Sequence, residues 1–188
     1  MTSTHDVAVL VGSLRRDSLS RKLALAMAGL GESRLSLRLV EIGDLPFYDP
    51  DLDVDPAPAP WARLRAEIGA ASAVLFVTPE YNRSVPAVLK NAIDVGSRPY
   101  GKAVWSGKPA AIVSLSQGAI GGFGANHHLR QSLVFLDMPV LQQPEAYVGG
   151  AGGLFDENGA LVVEGTRTFL KTFLGTFAGW IDRTGRHG

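Results

Sequence analysis

Residues 73–77, AVLFV, are five consecutive apolar side chains. The run is short for a buried helix and too uniformly apolar for a strand with one face in water. Such a run belongs at the centre of a parallel sheet, covered by helices on both faces. The flanking segments supply the other strands and their covers. DVAVLV at 6–11 is a second short apolar run, and Leu19, Leu23, Met27 and Leu30 follow it at helical spacing. LSLRLVEI at 35–42 places Leu35, Leu37 and Leu39 on alternate positions, the pattern of a strand with one face less buried, as at an edge. Trp61, Leu64 and Ile68 mark a helix begun after the proline-rich DPAPAP. PAAIVSL at 109–115 predicts a fourth strand, followed by a helix through Leu129, Leu133 and Leu136. A short fifth strand is expected within 139–148, and Phe169, Phe173, Phe177 and Ile181 recur every four residues in a closing helix.

Five strands alternating with helices predict an α/β fold, a three-layer sandwich around a five-stranded parallel sheet with right-handed crossovers. In the flavodoxin-like strand order 2-1-3-4-5, a ligand sits outside the carboxyl ends of strands 1 and 3, where the order reverses. No repeat or linker divides the chain, so residues 1–188 are expected to form one domain. Lys plus Arg (18) equals Asp plus Glu (18), so no net field draws nucleic acid or an anionic membrane. The opening MTSTHDVAVLVGS has no basic segment ahead of an apolar one, and no apolar run approaches the roughly 18 residues of a spanning helix. A cytoplasmic protein is expected. With no cysteine, any redox chemistry must come from a cofactor.

Strand order directs attention to three loops. GSLRRDSLSR at 12–21 joins strand 1 to helix 1, where free backbone N–H groups and the helix dipole favour an anion. Ser13, Ser18 and Ser20 add hydroxyls and Arg15 or Arg16 adds charge, a set suited to a phosphate monoester. The single Gly12 excludes both G-x-G-x-x-G and the P-loop. The same residues also suit an ordinary helix capped by Asp17 or Ser18. In TPEYNRS at 78–84, Pro79 fixes the chain leaving strand 3, and the backbone groups after it are expected to face outward, free to pair with a heterocycle. Tyr81 offers a ring face and Asn82 two donors and an acceptor. Ser84 is read as an N-cap with Pro86 in the first turn, and the bland alternative is a stiff strand-to-helix turn. SQGAIGG at 116–122 sets three glycines where the backbone can approach a ligand or simply turn.

GSLRRDSLSRKLA, DLPFYD, TPEYNRSVPAVLKNAID, SGKPAAIVSLSQGAIGG and HLRQSLVFLDMPVLQQPE, in order from residue 12 to about 150, resemble the NADPH-dependent FMN reductase family, within it the chromate- and quinone-reductase branch. The resemblance implies non-covalent FMN, with Ser13, Arg15, Ser18 and Ser20 on its phosphate. Pro79, Glu80, Tyr81, Asn82 and Arg83 would line the isoalloxazine, and Ser116, Gln117 and Gly118 its other side. It implies NADPH or NADH as co-substrate, a small-molecule acceptor such as a quinone or free flavin, and no catalytic side chain. It also implies a homodimer or homotetramer built on the helices after strands 3 and 4, the second of which, GANHHLRQSLVFLDM, carries apolar residues on more than one side. Four positions depart from the family pattern. Ser20 replaces a frequent Asn, and Arg83 puts an unpaired cation at the flavin mouth, where it is expected to favour NADPH. Gly124 and His127 stand in place of Arg and Tyr, so a tetramer contact is expected either to be weaker or to depend on a His127–Glu145 pair.

Other constellations carry less. DPDLDVDP at 49–56 begins like a calcium loop but has Val54 and Pro60 where Gly and Glu are required. His127 and His128 are adjacent in a helix and point about 100° apart, which disfavours a shared metal. Arg130, Asp94 and Asp137 are expected in ion pairs or caps. The alternative function is a flavodoxin-like electron carrier without nicotinamide turnover, although such carriers are strongly acidic and this chain is neutral.

Overall fold

The computed structural model of the protein describes residues 4–185; the expected single domain extends three residues beyond these at each end. The chain runs β1 (His5–Val11), α1 (Leu19–Ala28), β2 (Leu35–Val40), α2 (Ala59–Ala70), β3 (Ala73–Pro79), α3 (Ala87–Gly96), β4 (Ala110–Leu115), α4 (Phe123–Phe135), β5 (Ala146–Val148) and α5 (Glu164–Thr184). All strand pairs are parallel and their order is β2-β1-β3-β4-β5. The sequence therefore predicts the sheet order, and β2 lies at the edge as its half-buried pattern requires.

Alternate strand residues feed two separate cores. Val7, Val9, Leu75, Val77 and Val113 face α1 and α5, while Ala8, Leu10, Val74, Phe76 and Ile112 face α2, α3 and α4. This period-two split explains why β3 must be apolar throughout: both of its faces are interior. On α5 the large buried side chains are Leu170, Phe173, Leu174, Phe177 and Ile181. At about 1.5–3 kcal/mol for each large side chain, docking this helix contributes on the order of 10 kcal/mol before chain entropy is subtracted. Phe169, expected in that stripe, packs only at its margin.

α3 begins at Ala87, not at Ser84 as expected. The proline ring of Pro86 disfavours helical geometry at Val85, so the helix can start only after it. Trp105 lies in the segment before β4, fully buried, with Nε1 donating to Ile93 O at 2.9 Å. Its indole occupies the space where a Cβ at Gly96 would stand, 2.6 Å away, so Gly96→Ala should lower the melting temperature by several degrees, an overpacking cost of about 1–3 kcal/mol. Thermal unfolding followed by circular dichroism measures it, and an unchanged midpoint would show that the indole can give way. Among the described residues no helix is long and apolar enough to cross a membrane.

Candidate active site

The carboxyl ends of β1, β3 and β4 meet around a cleft of about 200 Å³ lined by Ser13, Arg15, Ser18, Leu19, Ser20, Pro79, Glu80, Tyr81, Leu115, Ser116, Gln117 and Ala151. Nine of these twelve were expected from the sequence. Asn82, Arg83 and Gly118, expected with them, do not line it. Leu19, Leu115 and Ala151 were not anticipated; Ala151 reaches the site on a short turn after β5, with no local signal beyond its glycine-rich surroundings. Size does not single this cleft out. A larger one, about 370 Å³, lies at the amino ends of the strands, but its Lys108 ammonium already donates to Gly69 O and Ala71 O at 3.0 and 2.6 Å. Unused polar groups distinguish the smaller cleft.

Those groups belong first to the β1–α1 loop. Gly12 N donates to Val77 O at 2.9 Å, and a Cβ on Gly12 would stand 2.7 Å from Thr78 Oγ1, so glycine lets the loop leave β1 tight against β3. Ser18 caps α1, its Oγ accepting from Arg21 N at 3.1 Å, which leaves its hydroxyl proton to donate elsewhere. Ser13 and Ser20 are 9% and 2% exposed, line the cleft, and make no side-chain hydrogen bond among the described residues. Their hydroxyl oxygens open onto the cleft, so a ligand there can supply the partner that the protein does not. Arg16 leans toward Asp17 at 4.0 Å, whereas Arg15 has no carboxylate partner among the described residues.

The second wall is the β3–α3 loop. Tyr81 and Ser84 exchange both backbone hydrogen bonds, at 3.0 and 2.9 Å, around Asn82 and Arg83. Both central residues have positive φ, 51° and 63°, the geometry of a two-residue turn that favours Asn followed by Gly. An Arg at the second position costs about 1 kcal/mol. Part of this loop's backbone is therefore not free as expected: Tyr81 and Ser84 bond to each other. Nor is Arg83 an unpaired cation. Its Nη1 donates to Glu80 Oε1 at 3.2 Å because the left-handed turn folds it back over the start of the loop, which removes the ground for assigning it NADPH preference. Glu80 Oε2 in turn accepts from Ala125 N at 3.1 Å.

The third wall, 116–122, turns by its glycines. Gly121 and Gly122 have φ of 65° and 75°; a Cβ at Gly121 would stand 2.5 Å from the Tyr147 carbonyl carbon on β5 and one at Gly122 3.1 Å from Ser114 Cβ on β4, so both serve close packing on the sheet. Behind this loop, buried Asn126 donates to Ser114 Oγ at 3.2 Å and accepts from Arg130 Nε at 3.0 Å. Arg130 also donates to Leu141 O at 2.9 Å; among the described residues it forms neither an ion pair nor a helix cap, whereas Asp94 pairs with Lys90 as expected.

His127 meets Glu145 at 3.9 Å within one chain, so this pair needs no second subunit and gives no ground for a pH-dependent tetramer. Its nearer partner is the Tyr147 hydroxyl at 2.8 Å, and its ring lies against Phe123 with centroids 4.3 Å apart. Burial, reinforced by the Glu145 carboxylate, pushes the Tyr147 phenol up to about 12. A raised folded pKa means that this group's stabilisation is complete below the unfolded value of about 10 and is lost as pH rises toward 12. Ultraviolet titration should find the Tyr147 phenol ionising near 12; its ionisation at the ordinary value of about 10 would remove Tyr147 from this environment.

The profile described as NADPH-dependent FMN reductase matches residues 5–153. A quinone reductase of Pseudomonas putida is 60% identical over 181 residues, covering 96% of this chain and 97% of the relative. A 2-hydroxy-1,4-benzoquinone reductase of a Burkholderia species is 47% identical over 175 residues, covering 93% and 95%. Among solved structures, the flavoenzyme NAD(P)H:(acceptor) oxidoreductase FerB from Paracoccus denitrificans superposes with a TM-score of 0.91 at 43% identity, covering 97% of this chain and all of that one. The cleft at the strand-order reversal, the partnerless serines in it and these matches agree: the chain belongs to the NADPH-dependent FMN reductase family of oxidoreductases.

Proposed function

We propose that the protein uses NADPH or NADH to reduce a quinone or similar small acceptor through bound FMN. The observation that carries this reading is the pair of cleft-facing hydroxyls of Ser13 and Ser20, without a partner among the described residues, beside an uncommitted Arg15. This donor set fits one phosphate: hydroxyls and a guanidinium surround it at the amino end of α1, where the dipole favours an anion. Pro79, Glu80 and Tyr81 on one side and Ser116 and Gln117 on the other would hold the ring. Bound there, FMN would supply the two-electron chemistry, taking a hydride from the nicotinamide and passing electrons to the acceptor. The cleft's one carboxylate, Glu80, is committed to Arg83 and Ala125, so no side chain is assigned a catalytic proton transfer.

Exposed Leu14, Tyr81 and Ile120 stand one on each of the three loops, which supports a planar apolar acceptor over an oxyanion. The quinone reductase named among the relatives supports the same choice. Anaerobic NADPH should bleach the yellow protein, and benzoquinone should restore the colour faster than chromate. A protein that stays yellow with both nicotinamides is the electron carrier instead, and chromate outrunning quinones would overturn the acceptor.

We infer further a cytoplasmic single-domain protein, homodimeric or homotetrameric, with no nucleic-acid or membrane partner; the equal counts of basic and acidic residues support the last point. Oligomer formation is supported by α4, whose Leu129 and Leu133 fill the core while Val134 and Phe135 stand largely exposed on the same helix. Phe135→Asp should shift light scattering toward the monomer, and a wild-type monomer would refute assembly.

A further inference from the structure

We propose that the Glu80 carboxylate is a positioning group that clips the β3–α3 loop to the amino end of α4 and so sets the spacing of two cleft walls; this rests on the FMN reading of the cleft. α4 begins after Gly122, which offers no side chain to cap its free amides. Glu80 supplies the missing acceptor from another loop, its Oε2 taking Ala125 N at 3.1 Å while Oε1 takes Arg83 Nη1 at 3.2 Å. The side chain is only 11% exposed. Its negative charge faces the positive end of the α4 dipole, so a carboxylate suits the position better than an amide.

Gly124 makes the approach possible. A Cβ there would stand 2.7 Å from Arg83 O and 3.0 Å from Glu80 Oε2, so the turn presses onto backbone that only glycine leaves clear. α4 itself is fixed, with Leu129 and Leu133 in the core and Asn126 bonded to Ser114, so the loop is the part that needs holding. Arg83 occupies a left-handed position that glycine would fill without strain, and its guanidinium closes the remaining oxygen of Glu80. A second contact lies beside the first, between His128 Nδ1 and Ser84 Oγ at 3.0 Å. The β3–α3 loop is thus read as a rigid wall whose outward face the flavin meets and whose inward face belongs to α4.

Two measurements test the clip. In the apoprotein, amide exchange at Ala125 should accelerate at least tenfold in Glu80→Ala and remain near wild type in Glu80→Gln, whose amide oxygen keeps the acceptor. FMN affinity, read by flavin fluorescence quenching, should fall about tenfold in Glu80→Ala and two- to threefold in Glu80→Gln, with the flavin absorption maximum unmoved. Unchanged exchange in Glu80→Ala overturns the clip. So does a lowered melting temperature with unchanged FMN affinity, since that is the signature of a purely structural residue. Equal losses in both variants with a displaced absorption maximum would place the carboxylate against the flavin and overturn it as well. A wild type that takes up no FMN would overturn the functional reading, and the exchange arm would still decide the contact.

Discussion

Arg15→Ala is expected to weaken FMN by roughly tenfold, and Ser20→Ala by less. A charge-assisted hydrogen bond contributes about 1.5–3 kcal/mol and a neutral one about 0.5–1.5 kcal/mol. Arg15 is exposed, so solvent holds it to the lower end of its range, about 1.5 kcal/mol, whereas Ser20, a neutral donor on a residue 2% exposed, falls in the neutral range. Salt separates the two. Raising ionic strength from about 0.1 to 1 M shortens the Debye length from about 10 to 3 Å, so the Arg15 increment should shrink and the Ser20 increment persist. Fluorescence quenching of FMN by the apoprotein at both salt concentrations measures this. Equal affinity for wild type and Arg15→Ala at low salt would take Arg15 off the phosphate.

The sheet was legible because its signal is periodic and local. AVLFV and DVAVLV are apolar on both faces, and the structure buries both faces; the alternation in LSLRLV reports an edge, and β2 is one. The three cleft loops followed from strand order, since the reversal point is a property of topology and not of any one residue. What was not legible depends on side chains meeting across long sequence distances. Nothing in TPEYNRS announces that Glu80 will cap a helix beginning at residue 123, or that Arg83 will fold back upon it. Asn91 looks like a polar residue in a helix, yet it is buried, accepting from Tyr48 N at 2.8 Å and donating to Pro46 O at 3.0 Å. The start of α3 was misplaced for a local reason: Ser84 has cap chemistry, but the constraint Pro86 imposes on Val85 outweighs it.

The aspartates of DPDLDVDP, discounted as a calcium loop, carry the largest stability effect expected in the protein. Asp49 caps a short turn through Asp51 N at 2.9 Å, whereas Asp53 enters the interior and meets Arg65 Nη1 at 2.9 Å, with side chains only 7% and 14% exposed. Arg65 Nε donates to Val95 O at 3.0 Å and its guanidinium lies 5.7 Å from the centroid of the Trp61 ring, so the cation cannot swing into water without breaking both contacts. Asp53→Ala should therefore leave an enclosed charge uncompensated, at about 3–5 kcal/mol. At roughly 2–4 °C per kcal/mol for a chain of this size, the melting temperature should fall by about 10 °C. FMN affinity of the folded protein should hold within about twofold, because neither residue lines the cleft. The double variant Asp53→Ala, Arg65→Met should recover most of the loss, since removing both charges also removes their desolvation. Arg65 Nη2 is already enclosed without a partner in the wild type, so the pair is imperfectly satisfied and the double variant can match or exceed the parent. Calorimetry on the three proteins decides: a single-variant shift below about 3 °C would show that solvent reaches Arg65 once Asp53 is gone.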